Sequence, residues 1–435
     1  MRAPCGLRRA SGTTFPMDAE IIAVGSELLT PYRLDTNSLF VTAELNRLGF
    51  HVRRKHVIGD RDDDLRDVFL HALERVEVVV SCGGLGPTED DRTREIVADA
   101  LGRKLKLNDE ILRSIQERFR KFGRTMPEVN VRQAMVPEGA EPLANTLGTA
   151  PGLWLESDGK VVVLLPGPSR ELQAMFERQV KPRLARRGAN MRLYTRDLRI
   201  TGLPESDVDQ RVASIYKQYA GTETTILATS PGEIQLHPRV WSEDEAAATK
   251  LLDEMVKRFA LALGQNLFST AGEALEDVVA KELQERRATI AVAESCTGGM
   301  LAARLTNVPG SSSYFRGGVV SYSNDLKSAW VDVPREIIEA KGAVSSEVAL
   351  AMADGIRRHT GSTLGVGVTG IAGPGGGTPE KPVGLVHIAI ADEKGTKERE
   401  FRFPGTRDRI RHQATQAALD MVRRYFLYAA PAAKA

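Results

Sequence analysis

The sequence is poor in cysteine, in long hydrophobic runs and in any excess of charge of one sign. Its three cysteines, Cys5, Cys82 and Cys296, are widely spaced and odd in number, which fits neither a disulfide framework nor a paired set of metal ligands. The longest aliphatic run, Val161 to Leu165, has the length of a buried strand, far short of the roughly 20 residues that cross a bilayer. We therefore expect a cytoplasmic protein without a membrane-spanning segment.

The charges nearly cancel. Lys and Arg number 59 against 57 Asp and Glu, a net charge of +2 that gives no global electrostatic reason to bind nucleic acid. With 42% hydrophobic and 27% charged residues, the composition is that of a globular protein. Because single cores stop growing at roughly 250 to 300 residues, a chain of 435 residues is expected to form two or three domains.

The first residues do not resemble an export signal. Residues 1–16 are basic and rich in small side chains, but they lack the apolar segment of a secretory signal. A strand-like run begins just after Met17, so we expect either that Met17 is the true start or that residues 1–16 are a loose extension. The alanine-rich end, Ala429 to Ala435, is expected to fray.

Strand-like and helical stretches alternate in residues 17–190, which we predict to be the first domain. The predicted strands are Ile21 to Val24, Val52 to Ile58, Val76 to Ser81 and Val161 to Leu165, and the predicted helices cover 36–48, 62–75 and 91–101. This alternation predicts an α/β domain with a mostly parallel sheet, whose ligands bind beyond the carboxyl ends of the strands.

Residues 191–270 have a different rhythm, with one strand, a helix, two strands and another helix. Turns are predicted at Gly221 to Thr225 and at Ser230 to Gly232. The predicted small α+β connector resembles a K-homology-like arrangement, but it has no G-x-x-G loop, which clamps the nucleotide backbone in RNA-binding versions. We expect no nucleic-acid partner.

The remaining segment, 271–435, again alternates strand and helix and is predicted to be a second α/β domain. Its predicted elements include a helix from Leu275 to Arg286, strands at Thr289 to Ala293 and Gly384 to Ile390, and a last helix from Asp408 to Tyr425. Three polar clusters follow three strand-like runs in this segment. They are Glu294 to Gly299, Ser321 to Lys327 and Thr369 to Gly377.

Each cluster taken alone has an ordinary structural interpretation. The strand, glycine turn and helix around Ser295 could be a phosphate cradle or an N-cap serine, and a lysine such as Lys327 is usually a solvated surface charge. A tyrosine such as Tyr322 is usually half-buried packing. Three polar clusters at three successive strand ends are harder to explain by packing alone, and they indicate a functional site.

Four motifs occur in order and carry a resemblance. They are E-S-C-T-G-G, Y-S-N-x-x-K, V-T-G-I-A-G-P and, at Phe403 to Arg411, F-P-G-x-R-x-x-I-R. Together they resemble the C-terminal domain of the competence/damage-inducible CinA family, whose active members are nicotinamide mononucleotide deamidases. The resemblance implies a cofactor-independent amidohydrolase with Ser295 as nucleophile and Tyr322 and Lys327 beside it. The threonine and arginine of the later motifs fall on Thr369 and Arg409.

The implied chemistry suits these residue types. A lysine can deprotonate a serine only if burial or a nearby cation lowers its pKa, so Lys327 is the candidate base and Tyr322 a candidate proton donor or relay. The N–H groups around Cys296 to Gly299 could stabilise an oxyanion, and the Arg409 guanidinium suits a substrate phosphate. Cys296 is a rival nucleophile that the resemblance disfavours. The predicted substrate-binding residues here are Glu294, Thr297, Gly298, Gly299, Asn324, Thr369, Gly370 and Arg409.

A second candidate site lies in the first domain, in the glycine-rich loop Cys82 to Thr93. Its glycines allow close approach to a phosphate, and Asp90 and Asp91 are hard oxygen ligands for a divalent cation. The alternative is helix capping by an acidic first turn. With loops elsewhere in the domain, the predicted ligand-binding set is Gly25, Glu27, Asp35, Asn37, Gly83, Gly84, Gly86, Thr88, Asn145 and Gly167.

These loops are similar to the molybdopterin-binding-like domain that forms the N-terminal part of CinA proteins. The resemblance implies either a metal-dependent pyrophosphatase that splits ADP-ribose into AMP and ribose 5-phosphate, or a module that binds a pterin or nucleotide. It also implies a homodimer. The stretch Pro31 to Arg33 departs from the glycine-containing segment of many relatives. Outside enzymology, the family name suggests a regulatory protein associated with competence or DNA damage.

Overall fold

The computed structural model describes residues 16–187 and 190–428. Apart from Pro16, the predicted N-terminal extension lies outside these residues, as does the alanine-rich end. Within the described ranges, no helix is both long enough and apolar enough to cross a membrane.

The chain forms two compact units. The first comprises residues up to Tyr194 together with Trp241–Ala248, and the second comprises Thr195–Val240 together with the chain from Thr249 onward. The first unit contains a six-stranded sheet and the second contains a small sheet and a five-stranded sheet, all with helices, in agreement with the predicted α/β fold class.

The first part of the chain contains nine strands and six α-helices within the described residues. The strands are β1 (Met17–Val24), β2 (Phe50–Ile58), β3 (Val78–Cys82), β4 (Leu105–Leu107), β5 (Met135–Pro137), β6 (Glu141–Leu143), β7 (Gly152–Ser157), β8 (Lys160–Leu165) and β9 (Arg192–Thr195). The helices are α1 (Asn37–Arg47), α2 (Asp62–Arg75), α3 (Thr93–Ala100), α4 (Asp109–Lys121), α5 (Ser169–Met175) and α6 (Lys181–Ala185).

The main sheet of this part has the order β2-β1-β3-β8-β7-β6. Strands β2, β1, β3 and β8 run parallel, whereas β7 and β6 are antiparallel. Strands β3 and β8 are buried almost throughout, as expected of Val- and Leu-rich strands covered on both faces. All four predicted strands and all three predicted helices are confirmed to within a few residues. The intervening strands β4 to β7 were not predicted, because their apolar runs are too short to show a period. Helix α4 was not predicted either, although its apolar residues recur at helical spacing.

A small sheet follows, with the order β11-β12-β10-β13. Its elements are β10 (Leu198–Thr201), α7 (Glu205–Tyr216), β11 (Thr222–Ser230), β12 (Glu233–Ser242), α8 (Glu245–Leu263) and β13 (Leu267–Ser269). The predicted turn at Ser230 to Gly232 is confirmed. The turn predicted at Gly221 to Thr225 is wrong beyond Gly221, because Thr222 already pairs with Val240 in the β11–β12 ladder.

The last sheet has the order β15-β14-β16-β17-β18. Its strands are β14 (Ile290–Glu294), β15 (Phe315–Val320), β16 (Leu364–Gly370), β17 (Leu385–Asp392) and β18 (Gly395–Arg402). The helices are α9 (Leu275–Glu285), α10 (Met300–Asn307), α11 (Asn324–Val331), α12 (Arg335–Lys341), α13 (Ser346–Thr360) and α14 (Arg407–Tyr428). Strands β14, β15 and β16 are parallel, so the loops after them meet at one edge of the sheet.

Candidate active site

The three predicted polar clusters meet where β14, β15 and β16 end. Glu294 is in register with Val320 on one side and with Val368 on the other, so Ser295, Ser321 and Thr369 follow at the same level of the sheet. The Ser295 amide donates to the Val368 carbonyl at 2.9 Å, which holds the serine at this edge. Strand order and register therefore assemble residues that are far apart in sequence.

A lysine and a serine form the centre of this site. Lys327 lies in the first turn of α11, whose N-cap Ser323 accepts a hydrogen bond from the Leu326 amide. The Lys327 Nζ is 3.1 Å from Ser295 Oγ and also donates to the backbone carbonyls of Ser321 at 3.0 Å and Tyr322 at 3.4 Å. No carboxylate pairs with Lys327 among the described residues.

Burial determines the protonation behaviour of this lysine. Only 1% of Lys327 is exposed, and the loss of hydration lowers the pKa of its ammonium group. A lysine with a lowered pKa has a neutral fraction at moderate pH, and a neutral amine can accept the proton of a serine hydroxyl. The pair is therefore suited to nucleophilic catalysis.

The Glu294 side chain forms hydrogen bonds with the backbone that follows it. Its buried carboxylate accepts hydrogen bonds from the amides of Gly299 at 3.0 Å, Leu301 at 3.0 Å and Ala302 at 2.8 Å. These are the first amides of α10, which otherwise have no partner within the helix. Glu294 was predicted to contact substrate, but the structure gives it a structural role.

The same cap reduces the set of predicted oxyanion donors. Gly299 donates to Glu294, and the Gly298 amide donates to the Ser295 carbonyl at 3.1 Å. The amides of Cys296 and Thr297 have no hydrogen-bond partner on another residue in the described chain. Gly298 and Gly299 have φ values of +60° and +90°, and this left-handed turn returns the chain into α10. Cys296 and Thr297 are therefore the available donors.

Two buried hydroxyls near Ser295 and Lys327 also lack hydrogen-bond partners among the described residues. Thr297 Oγ1 and Ser321 Oγ make no hydrogen bond within the described residues, although both side chains are fully buried. Buried polar groups are usually satisfied, so two unpaired hydroxyls at one place indicate room for a polar ligand or water. Ser321 belongs to the predicted cluster Ser321 to Lys327 but was not assigned a role of its own.

Arginines from the start of α14 reach the rim of the site. Arg407 donates to the Tyr322 hydroxyl at 3.0 Å and to the Gly373 carbonyl at 2.8 Å, while Arg411 donates to the Thr297 carbonyl at 2.8 Å. Tyr322 is 56% exposed, and within the described residues its hydroxyl bonds neither Ser295 nor Lys327. Tyr322 thus lies at the entrance.

Arg409 is placed differently from the prediction. Residues 407 and 411 are one helical turn apart and share a face of α14, whereas Arg409 lies between them and points to another face. It lines a separate cavity with Phe403 and Gln413. The prediction selected an arginine of the right motif, but the geometry favours Arg407 and Arg411 as the arginines of this site.

The remaining predicted residues differ in access. Thr369 is fully buried and its hydroxyl donates to the Ala343 carbonyl at 2.7 Å, so it could only accept a hydrogen bond from a ligand. Gly370 ends β16, where a Cβ would come within 2.8 Å of the Leu385 carbonyl oxygen. Asn324 is exposed as the first residue of α11.

Cys296 is unsuited to the role of nucleophile. It is buried, and burial raises the pKa of its thiol to about 12. A thiol with such a pKa is protonated at neutral pH, and the thiolate is the reactive form. The structure therefore favours Ser295 over its neighbour.

The loops of the first domain line a second cavity, of about 400 Å³, at the ends of β1, β3 and β8. Its walls include Gly25, Glu27, Gly83, Gly84, Gly86, Thr88, Asp90, Asp91 and Gly167. At Gly83 a Cβ would lie 2.2 Å from the Val24 carbonyl oxygen, so this close approach of two strand ends requires glycine. Most of the predicted set is therefore brought together.

Three predicted residues form hydrogen bonds within the surrounding loops and do not line this cavity. Asn145 donates to the Ala150 carbonyl at 2.8 Å and to Glu171 at 2.7 Å, which fixes its own loop. Asn37 donates to the Gly167 carbonyl at 2.8 Å, and Asp35 accepts from the Ser38 amide at 3.0 Å. None of the three lines the cavity.

Two carboxylates of the cavity were not predicted, Asp60 and Glu171. Asp60 follows β2 and accepts a hydrogen bond from the Ser26 amide at 2.8 Å. A polar residue directly after a predicted strand was the signal available for it. The divergent stretch Pro31 to Arg33 is exposed and does not line the cavity.

The donor set suits a divalent cation only in part. Asp90 and Asp91 both line the cavity, but Asp91 already accepts from the amide of Thr88 at 2.9 Å and from its hydroxyl. No group of three or more His, Cys, Asp or Glu side chains that could hold a metal exists within 16–187 and 190–428. Mg²⁺ is commonly held by one or two carboxylates plus substrate phosphates, and these residues fit that mode.

Comparison with known proteins agrees with this architecture. Residues 272–426 match the family model described as CinA C-terminal domain, and residues 20–186 match the one described as Probable molybdopterin binding domain. CinA-like proteins of Koribacter versatilis and Solibacter usitatus are each 52% identical to this chain, cover 94% of it, and are themselves covered over 99% and 98% of their length.

A solved structure, that of the protein CinA from Thermoplasma acidophilum, is 36% identical over 38% of this chain and 97% of its own, with a TM-score of 0.36. The identity and coverage of the full-length relatives are decisive. With a molybdopterin-binding-like part at its beginning and a CinA C-terminal domain at its end, the chain belongs to the CinA family.

Proposed function

We propose that the C-terminal site hydrolyses the carboxamide of nicotinamide mononucleotide to nicotinic acid mononucleotide and ammonia. The observation that carries the proposal is the 3.1 Å contact between Ser295 Oγ and the buried Lys327 Nζ. A serine next to a lysine of lowered pKa is an arrangement that attacks amides.

The residues supply each step of such a reaction. Ser295 Oγ attacks the carboxamide carbon while its proton passes to Lys327, and the amides of Cys296 and Thr297 stabilise the oxyanion. The proton then reaches the leaving nitrogen, ammonia departs and an ester links Ser295 to the nicotinoyl group. Water, deprotonated by Lys327, attacks this ester and releases the carboxylate and the free serine.

Residues at the rim bind the rest of the substrate in this proposal. The Tyr322 hydroxyl accepts from Arg407, which leaves its own proton free to donate to a ligand. The exposed Arg407 replaces Arg409 as the candidate for the substrate phosphate, because a guanidinium pairs well with a dianion.

Ammonia release from nicotinamide mononucleotide by the intact protein tests the proposal. We expect activity in the unaltered protein and its loss in Ser295→Ala and Lys327→Ala, each checked for folding by circular dichroism. An acyl adduct on Ser295, detected by mass spectrometry after rapid acid quenching, would identify the nucleophile directly. If the intact protein releases no ammonia, a regulatory role without this chemistry takes first place.

We further propose that the first domain is a metal-dependent ADP-ribose pyrophosphatase, supported by the glycine-lined cavity with Asp90 and Asp91. A divalent cation held there with the substrate would neutralise phosphate oxygens and lower the pKa of an attacking water. The chain itself supplies close backbone approach at Gly83 and Gly84. Both activities would serve pyridine nucleotide salvage.

Release of AMP from ADP-ribose in the presence of Mg²⁺ or Mn²⁺ tests this second proposal. Ligand binding without AMP release under any divalent cation would favour a module that binds a pterin or nucleotide. A homodimer remains a prediction, which sedimentation velocity can test.

A further inference from the structure

A cavity of about 730 Å³ lies within the second unit, between strand β18, helix α14 and the turns of the small sheet. Ser295, Tyr322, Lys327, Arg407 and Arg411 do not line it. Its volume falls within the range of small-molecule sites, which is roughly 300 to 1,000 Å³. We propose that this cavity binds a nucleoside monophosphate, an aromatic base that carries a phosphate.

Unpaired cations provide the first argument. Four arginines line the cavity: Arg399, Arg402, Arg409 and Arg424. Arg424 bonds Asp420 at 2.7 Å and Arg402 bonds Glu400 at 3.0 Å, whereas Arg399 and Arg409 have no carboxylate partner among the described residues. Two guanidinium groups without counter-charges in the lining of one cavity, from β18 and α14, suit a phosphate dianion.

The acidic residues of the lining do not cancel this charge. Asp420 is paired with Arg423 and Arg424, and Glu233 with Arg199 at 2.7 Å. Glu205, at the start of α7, is the one acidic lining residue without an ion pair in the described chain. The unpaired charges of the lining therefore leave a positive balance.

An aromatic surface next to these cations provides the second argument. Phe401 and Phe403 are nearly parallel, with ring centroids 5.3 Å apart, and the Arg399 guanidinium lies 4.9 Å from the Phe401 centroid. Residues 399, 401 and 403 alternate along the chain and present one face of the edge strand. Planar bases stack on rings and guanidinium planes of this kind.

A side-chain amide completes the set. Gln413 also lines the cavity, and its Oε1 is buried without a hydrogen-bond partner among the described residues. An amide oxygen left unpaired in a cavity can accept from the exocyclic amine of a base. The cavity therefore offers arginines to the phosphate, aromatic rings to the face of the base and an amide oxygen to its exocyclic amine.

Photolabelling of the full-length protein with 2-azidoadenosine 5′-monophosphate tests the proposal. EDTA is present throughout, so that metal-assisted nucleotide binding in the first domain does not contribute. Peptide mapping is expected to place the label on residues that line the cavity, within 201–205, 228–234, 399–404 or 413–424. A label found only on other peptides overturns the proposal.

Two substitutions test the role of the free cations. Arg399→Gln/Arg409→Gln should lower this labelling about tenfold or more, because charge-assisted hydrogen bonds to phosphate are lost. Arg316→Gln/Arg335→Gln removes the same charge from exposed positions elsewhere in the unit and should leave labelling unchanged. The single variant Arg409→Gln, at an exposed helix position, provides the test if the double variant does not fold. Labelling equal to that of the unaltered protein would refute the assignment.

Competition identifies the class of ligand. Unlabelled AMP should displace the probe at lower concentration than adenosine, and Phe403→Leu should weaken the labelling through the base. Equal displacement by adenosine contradicts a phosphate site. Displacement by a single-stranded hexaribonucleotide at lower concentrations than AMP would replace the mononucleotide with RNA as the occupant.

Discussion

Burial of Lys327 has a direct consequence for the pH dependence of the proposed deamidation. The lysine acts as a base only when neutral, and burial lowers its pKa from the ordinary lysine value. We therefore expect kcat/KM to rise with pH through this lowered pKa and to level off above it. A pH profile of ammonia release measures this, and a rate that falls over the same range would contradict the assignment of Lys327 as the base.

Adjacent residues Ser295 and Cys296 provide a matched pair of substitutions. Ser295→Ala should lower kcat by about a thousandfold or more, because the nucleophile is removed. Cys296→Ala should keep most of the activity, since the buried thiol stays protonated and its backbone amide is retained. The comparison uses initial rates of ammonia release; the reverse order of the two losses would make the thiol the nucleophile.

At Glu294 we expect a loss of local stability. Glu294→Gln replaces one carboxylate oxygen by an NH₂ group that cannot accept from the amides of α10. The cost should be about 2 kcal/mol of opening free energy, the usual scale for a hydrogen bond to a charged group. Amide hydrogen exchange at 299–302 measures it, with exchange in the first unit as internal control. Unchanged exchange at 299–302 would show that the cap is dispensable.

Whether a site residue could be predicted from the sequence depends on what positions its side chain. The clusters that contain Ser295 and Lys327 were predicted to form a site because they follow strand ends, and the family resemblance implied the roles of the two residues. Arg407 and Arg411 were missed in favour of Arg409, because which face of α14 points to the site depends on packing. Glu294 was assigned to substrate as a member of the motif that contains Ser295, and its hydrogen bonds to the start of α10 become visible only in the structure.

At the scale of elements, the tight turn after β3 should make alanine at Gly84 destabilising. Gly84 has φ +67°, and a Cβ there would lie 2.0 Å from the hydroxyl of the buried Thr93, which itself donates to the Gly83 carbonyl. Gly102 has nearly the same backbone, φ +65°, but open space around the Cβ position. Both alanine variants incur the left-handed strain of about 1 kcal/mol.

The difference in stability between the two variants measures the cost of the steric clash at Gly84 alone. Gly84→Ala should destabilise the first unit by about 1–3 kcal/mol more than Gly102→Ala, the usual cost of overpacking a tight site. Urea denaturation followed by circular dichroism gives both values. Equal losses would mean that the loop shifts to accept the methyl group.

The elements that could be predicted share a physical basis. Strand β8 could be predicted from a short, continuous Val- and Leu-rich run, and helix α2 from its helical apolar period. Strand β18 was missed because most of its side chains are exposed, so the hydrophobic pattern that marks a strand is weak. Helix α4 was missed although Ile111, Leu112, Ile115 and Phe119 recur at helical spacing. The order of strands in each sheet likewise depends on packing between distant segments.

At the scale of the whole molecule, the two proposed activities should respond differently to removal of metal. EDTA is expected to abolish AMP release from ADP-ribose, because no Lys or Arg among the described residues lines that cavity to neutralise the phosphates in place of a cation. Ammonia release should persist, because the Ser295–Lys327 pair needs no metal. Measuring both products from one preparation, with Mg²⁺ restored afterwards, provides the control. Loss of both activities would mean that the deamidase also depends on a metal.

The three hydrogen bonds that Glu294 accepts from the start of α10 should affect how tightly the product of the proposed reaction is held. Deamidation converts an uncharged substrate group into an anion, and the start of a helix would ordinarily retain an anion. Here the amides of Gly299, Leu301 and Ala302 are already occupied by the protein's own carboxylate, so in the proposed reaction only the amides of Cys296 and Thr297 remain for the newly formed acid. We expect weak product inhibition by nicotinic acid mononucleotide, with the site vacated readily for the next molecule of amide.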